Sequence, residues 1–404
     1  MPSSEASLFW IAVIAVLAPL LAGFVPRRLV PEVVLLLVLG MVVGPNVLNW
    51  AVDGSEVDLL RELGLGMLFL LAGFALYPEE TIGRCGRRAL VTWLFSLGAA
   101  FAAVLLLGHT GAITAEIAVA IALTSTALGT LLPILKDSGL QNTALGRTVM
   151  NHGAIGELGP VVAMAVLLGS RGDIESVVVL ALFVVVAVAV GMVPLWVFRE
   201  GSRVLAVVQR GSDTTAQTTV RLTMLLLITL TAVATAFGLD IILGAFAAGF
   251  ILRRVMPEGD EQLETKLGGL AFGFLIPIFF VTSGMSIDIA AVLSAPGALV
   301  AFLVLLLLVR GVPVFVATRL DRVDNFSTRE QMRVALYATT GLPLIVAVTG
   351  VAVEAGEMSS ANASILVAAG AITVLALPML ATVLGGDEAS AASRTHRPPR
   401  EQES

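Results

Sequence analysis

A carboxylate and a guanidinium stand in stretches of sequence that otherwise carry no charge. Glu157 occupies Asn151-His152-Gly153-Ala154-Ile155-Gly156-Glu157-Leu158-Gly159-Pro160, and Arg310 lies within Leu305–Val316. In an apolar slab each costs several kcal/mol, which makes such a residue a functional candidate by default. The carboxylate can hold a proton or a small cation. The guanidinium does not deprotonate in proteins and can only compensate charge. A structural ion pair between the two is the plainer alternative. Gly153, Gly156 and Gly159 recur every third residue, so another backbone can approach closely. Pro160 lacks an N–H, so the Gly156 carbonyl loses its helical partner and becomes an oxygen that a partly dehydrated cation could use. His152 and Asn151, on the same segment, are candidates for a proton relay. A histidine in such a place more ordinarily just hydrogen-bonds to a neighbour.

Two further runs combine hydroxyls, a glycine and a proline. The first is Ile121-Ala-Leu-Thr124-Ser125-Thr126-Ala-Leu-Gly129-Thr130-Leu-Leu-Pro133, and the second is Leu336-Tyr337-Ala338-Thr339-Thr340-Gly341-Leu342-Pro343. Each reads as a helix broken inside an apolar stretch, where freed backbone survives only in protein or beside water. Interrupted segments at corresponding places in two halves point to a site built from inverted repeats. Their hydroxyl and carbonyl oxygens are hard ligands suited to alkali cations. One such cluster is weak evidence, because threonine often bonds back to its own helix; two in register are stronger.

The elements that would position these groups follow from composition. The 404 residues are 57% hydrophobic and 13% charged, with a mean hydropathy of +0.96. A soluble domain is about 25% charged, so this is an all-α polytopic membrane protein in contact with a lipid bilayer. Runs of about 20 apolar residues fall near 8–25, 29–48, 59–76, 88–107, 113–135, 144–169, 175–198, 218–237, 239–253, 267–286, 296–318, 331–352 and 361–384, thirteen spans in all. With the N-terminus outside and the C-terminus cytoplasmic, all but three of the 24 Lys and Arg residues face the cytoplasm. Arg61 and Arg171 lie outside, and Arg310 is inside a span. The first run is expected to stay in the mature chain, since no positive charge precedes it. Residues 387–404 read as a short disordered tail.

Other classes are disfavoured. Cys85 is the one cysteine, and His109 and His396 lie in a loop and the tail, so no metal centre or cofactor is expected beyond a transported alkali cation. The net charge of −6 speaks against nucleic acid. No paired aspartates or Ser/His spacing within the spans suggests an enzyme.

The chain resembles the bacterial monovalent cation:proton antiporters of the second cation:proton antiporter family, both sodium/hydrogen exchanger-like and Kef-like. The resemblance rests on the segments Pro31–Pro45, Leu63–Gly73 and Gly238–Gly249, and most specifically on Pro277-Ile-Phe-Phe-Val-Thr-Ser-Gly284-Met285-Ser-Ile-Asp288. It implies a transporter domain over 1–386 in the cytoplasmic membrane, working as an elevator and pairing as a homodimer. Scaffold or dimer helices would lie at about 8–76 and 218–286, a linker helix at about 175–198, and core helices at about 88–169 and 296–384. Two discontinuous helices would cross in the core. The family's ion-binding carboxylate falls on Glu157, its basic core residue on Arg310, and its broken-helix hydroxyls on Thr124, Ser125, Thr126, Thr339 and Thr340. Members usually carry Asp preceded by Asp, Asn or Gln, where this chain has Gly156-Glu157. The nucleotide-binding module of Kef-type members is not seen.

On that basis Glu157 is expected to hold H⁺ and Na⁺ or K⁺ in turn. With a single acid and an arginine, one proton would exchange for one cation, without net charge movement. A sodium-coupled organic-anion symporter and a non-transporting membrane sensor are the alternatives.

Overall fold

A computed structural model describes residues 3–24, 30–76, 83–108, 115–128, 131, 134–135, 138–167, 173–197, 217–256, 261–321 and 323–385. All regular structure among them is helical. The first helices are α1 (Ser4–Phe24), α2 (Glu32–Val43), α3 (Ser55–Phe74), α4 (Arg84–Gly108), α5 (Glu116–Leu123), α6 (Ala144–Leu167) and α7 (Asp173–Val197). They are followed by α8 (Thr218–Ala236), α9 (Ile241–Val255), α10 (261–285), α11 (Ile289–Ser294), α12 (Pro296–Leu320), α13 (Thr328–Ala338), α14 (Leu342–Glu354) and α15 (Ser360–Leu384). Seven helices among the described residues are long and apolar enough to cross a membrane. Large apolar side chains such as Phe95, Leu106 and Val185 are left exposed, as lipid contact requires.

Helices α1, α2, α3, α8, α9 and α10 pack as one group, and α4, α5, α6, α12, α13, α14 and α15 as another; α7 touches α6 and α9. The first group is held by backbone-to-backbone approach. Gly73 of α3 lies on the Phe246 carbonyl of α9, and Gly249 of α9 lies on the Leu70 carbonyl of α3. Gly40 of α2 and Gly284 of α10 repeat the arrangement on Val281 and Leu37. Between apolar helices in lipid there is no hydrophobic drive to associate, so such close packing supplies the attraction. Arg253, 5% exposed, closes the end of α3. Its Nε donates to the Phe74 carbonyl at 2.6 Å, and its guanidinium lies over the Phe74 ring, 4.2 Å from the centroid.

A Cβ on Gly249 would sit 2.7 Å from the Phe74 nitrogen and 2.8 Å from the Leu70 carbonyl carbon, atoms that cannot move independently. Gly249→Val is therefore expected to cost about 3 kcal/mol or more, read as a lower unfolding temperature in detergent. Gly98, whose Cβ would meet nothing within 4 Å, is the control: Gly98→Ala leaves the unfolding temperature unchanged or higher.

Prolines within helices are accommodated in two ways. In α10 and α12 a π-helical turn, Ala271–Leu275 or Leu307–Gly311, immediately precedes Ile276-Pro277 or Val312-Pro313. The widened turn lets the carbonyls that lost an N–H partner escape the proline ring. The turn in α12 carries Arg310. Pro160 lies inside α6 with no π-helical turn, and the carbonyl it frees is met from outside the helix.

Candidate functional site

Helix α5 stops at Leu123, and Ser125–Ala127 run free of helix. Ser125 N–H still reaches the Ala122 carbonyl of α5 at 3.2 Å, but those of Thr126 and Ala127 have lost helical acceptors and must find others. Thr126 N–H donates to the Gly156 carbonyl of α6 at 2.8 Å, the oxygen that Pro160 sets free. Ala127 N–H donates to the Thr340 carbonyl at 2.6 Å, in the gap between α13 and α14. The Thr126 hydroxyl donates to the Ala338 carbonyl at 2.5 Å; that of Ser125 donates to the Ala122 carbonyl of its own helix at 2.8 Å, with the Gly341 carbonyl at 3.3 Å across the crossing. A backbone N–H from Leu128 points to the Glu157 carboxyl group. Two broken segments and one proline-bearing helix thus satisfy each other's backbone at a single crossing.

The Gly156 carbonyl thus has one donor, Thr126 N–H, and keeps a second lone pair to offer. The absent side chain of Gly156 matters as well. A Cβ there would come within 2.5 Å of Arg310 Nη2 and 2.7 Å of Thr126 Cβ, so glycine leaves the room in which the guanidinium lies.

Arg310 is fully buried. Its Nε donates to Thr126 Oγ1 at 3.1 Å and its Nη2 to the His152 carbonyl at 2.7 Å. The structural Glu157–Arg310 ion pair is not among the ion pairs of the described residues. The guanidinium braces α6 against the crossing and leaves the carboxylate uncommitted. Glu157 Oε2 and Arg310 Nη1 are both buried without a hydrogen-bond partner. A buried carboxylate oxygen in that condition is costly as an anion and demands a proton or a cation.

The remaining hydroxyls bond back to their own helices, Thr124 to Ile121, Thr339 to Ala335 and Thr340 to Tyr337, each at 2.8 Å. They are buried at the crossing and keep oxygen lone pairs; Thr126 bonds across it, and Ser125, bonded back to Ala122, comes within 3.3 Å of the Gly341 carbonyl. His152 contributes its carbonyl; its ring is buried and Nδ1 has no partner. Asn151 is half-buried, and no contact among the described residues brings it to the crossing. Gly129, Thr130 and Pro133 lie outside the described residues. Sequence reasoning missed Trp93 and Ser96 on α4. The Trp93 ring covers Gly159, and Trp93 Nε1 and Ser96 Oγ are buried without partners. Their signal was the stripe Ala89, Thr92, Trp93, Ser96 and Ala100 in α4, which places polar atoms on a buried helical face.

A sequence model described as "Sodium/hydrogen exchanger, transmembrane" matches residues 12–384. The chain belongs to the sodium/hydrogen exchanger family. It is a multi-pass membrane protein, and its relatives are named as Na(+)/H(+) antiporters and potassium-efflux system proteins, transporters rather than enzymes. YjbQ of Bacillus subtilis, named as a Na(+)/H(+) antiporter, is 28% identical over 302 residues, 71% of the chain and 48% of that protein. A glutathione-regulated potassium-efflux system protein of Haemophilus influenzae is 26% identical over 365 residues, 86% of the chain and 56% of that protein. The chain thus spans about half the length of these relatives. The electron-microscopy structure of the sodium proton antiporter MjNhaP1 from Methanocaldococcus jannaschii superposes with a TM-score of 0.65 at 17% identity. That match covers 98% of this chain and 100% of the other, and it establishes a shared fold.

Proposed function

We propose that the chain exchanges a monovalent cation, Na⁺ or K⁺, for H⁺, with Glu157 as the shared site. The observation that carries this is the unpartnered, buried Glu157 oxygen beside a crossing lined with hydroxyls and carbonyls. Thr124, Ser125, Thr126, Thr339 and Thr340 supply oxygens to the cation. Gly156 gives the room in which Arg310 compensates charge from a fixed position. His152 is the better placed of the two relay candidates; Asn151 stands further off. Proton and cation compete because the carboxylate neutralises only one at a time. With no second buried acid at the crossing among the described residues, one proton moves per cation and no net charge crosses.

The wider architecture is part of the same proposal: thirteen spans, N-terminus outside, C-terminus cytoplasmic, in the bacterial inner membrane. The exchange of partners between helix pairs supports inverted repeats. Contacts of α2 with α10 and of α3 with α9 map onto each other when the triplets α1–α3 and α8–α10 are swapped. The first of the two packed groups serves as scaffold and dimer surface, the second as the moving core of an elevator, with α7 as linker.

Purified protein in proteoliposomes tests this. Adding Na⁺, K⁺ or Li⁺ in turn dissipates a dye-reported pH gradient, and clamping the membrane potential at different values leaves the initial rate unchanged. A rate that follows the potential overturns the one-for-one count. No response to any of the three overturns the exchange itself.

A further inference from the structure

A second cavity lies away from the crossing, between α3 and α10 on one side and α14 and α15 on the other. Its volume is about 160 Å³ and it is open to one side; the polar residues of its largely apolar wall include Arg61, Ser283, Ser286, Thr349, Glu354 and Ser364. We propose that this cleft is a second cation-binding station, in which the Glu354 carboxylate is the charged ligand and the Arg61 guanidinium its tethered competitor. The proposal rests on the exchange function and the orientation proposed above, which put the cleft on the outer face.

The wall's chemistry selects the sign of the ligand. Each of its bonded hydroxyls donates its hydrogen to its own helix. Ser283 donates to the Phe279 carbonyl at 2.6 Å, Ser286 to Thr282 at 3.3 Å, Thr349 to Ile345 at 2.7 Å and Ser364 to Ser360 at 2.7 Å. A hydroxyl has one hydrogen and two lone pairs, so these groups meet the cleft as acceptors. Ser364 gives one lone pair to the Asp288 N–H at 2.9 Å and keeps the other. These hydroxyl acceptors suit an alkali cation with part of its water shell, and the donor among them is the Arg61 guanidinium, the competitor for that place.

The charged donor of the wall is only partly engaged. Arg61 Nη2 lies 3.4 Å from Glu354, while its Nε, 3.5 Å from Asp58, has no hydrogen-bond partner. Glu354 is mostly exposed, so this pair is weak and readily exchanged. Further acidic groups stand near the pair though not in the wall: Asp53 is close enough to Asp58 and Arg61, and Asp240 to Glu354 and Glu62, for their charges to be felt. Such a field concentrates cations at the mouth. The two partners also sit on different helix groups, Arg61 on α3 and Glu354 at the end of α14. A cation that takes Glu354 from Arg61 therefore also releases a contact between those groups. On α14 the wall extends inward to Val346, one turn from the start of the helix at Leu342.

The experiment uses the full chain in vesicles of defined orientation, with Cys85 replaced by serine. Ser286→Cys is labelled from outside by a membrane-impermeant cationic thiol reagent. Na⁺, but not choline at equal ionic strength, is expected to slow labelling at least threefold. The same protection is expected in Ser286→Cys/Glu157→Gln, where exchange is lost, so failure of the exchange site and failure of the cleft are distinguishable. Glu354→Gln removes the protection, and Arg61→Gln produces it at a lower Na⁺ concentration. In exchange assays Glu354→Gln raises the KM for outer Na⁺ at least fivefold, with a smaller effect on maximal rate, while Arg61→Gln lowers the KM. A merely structural ion pair would move both variants the same way, and that result overturns the proposal. So does protection that vanishes with Glu157, or labelling that proceeds only from the opposite face. If Ser286→Cys fails to fold, Ser283→Cys carries the same test.

Discussion

Glu157→Gln is expected to abolish exchange, with at least a hundredfold fall in the rate of pH-gradient dissipation for Na⁺, K⁺ and Li⁺ alike. Glutamine keeps an oxygen to accept from the Leu128 N–H but can neither release a proton nor neutralise a cation. Folding survives, because the exchange of a buried carboxylate for an amide changes shape little. The unfolding temperature in detergent shifts by no more than a few degrees, with an unpaired amide N–H costing about 1–3 kcal/mol against the removal of a buried acid. Glu157→Asp retains the chemistry with the carboxylate drawn back by one methylene. It is expected to exchange with an altered apparent cation affinity. A fully active Glu157→Gln protein would sink the site assignment.

The second large effect belongs to a residue with no side chain. Gly156→Ala places a Cβ 2.5 Å from Arg310 Nη2 and 2.7 Å from Thr126 Cβ. The backbone cannot slide away, because the 2.8 Å bond from Thr126 N–H to the Gly156 carbonyl fixes the spacing of the two segments. The guanidinium must then leave its place and give up its bonds to Thr126 Oγ1 and the His152 carbonyl. An expelled buried cation and an overpacked contact together cost about 2–4 kcal/mol. The exchange rate should fall at least tenfold. The signature is non-additivity: the loss caused by Gly156→Ala is expected to be smaller in the Arg310→Gln background than in the unmodified chain, in both rate and unfolding temperature, with the contact on Thr126 as the remainder. Additive losses would show that glycine serves α6 itself rather than the arginine.

The legible part of this chain was whatever local chemistry encodes. The helices follow the apolar runs, and the Thr339-Thr340-Gly341-Leu342-Pro343 stretch announces the gap between Ala338 and Leu342. Glu157 and Arg310 stood out because charge in an apolar run has few harmless explanations. Contacts between distant segments were not legible. Nothing near Pro160 in sequence says that its orphaned carbonyl is met by Thr126, some thirty residues earlier on another element. Nothing near Arg310 says that a π-helical turn aims it at a carbonyl of α6 rather than at Glu157. Gly156 seemed a missing ligand when read along the chain; across the helices it is space for a neighbour. Trp93 and Ser96 were visible as a polar stripe, yet an indole in a membrane helix passes easily for lipid-facing bulk.

The crossing also sets a timetable for biosynthesis. Thr126 and its acceptor Ala338 are 212 residues apart, so at ribosomal speeds the N-terminal half of the crossing waits roughly 10–40 s for the other. During that interval the Ala127 N–H and the Thr126 hydroxyl lack their acceptors, in surroundings where lipid can offer none. The nascent chain therefore has to be sheltered, by water at the insertion machinery or by a helper protein, until the last third of the polypeptide has emerged.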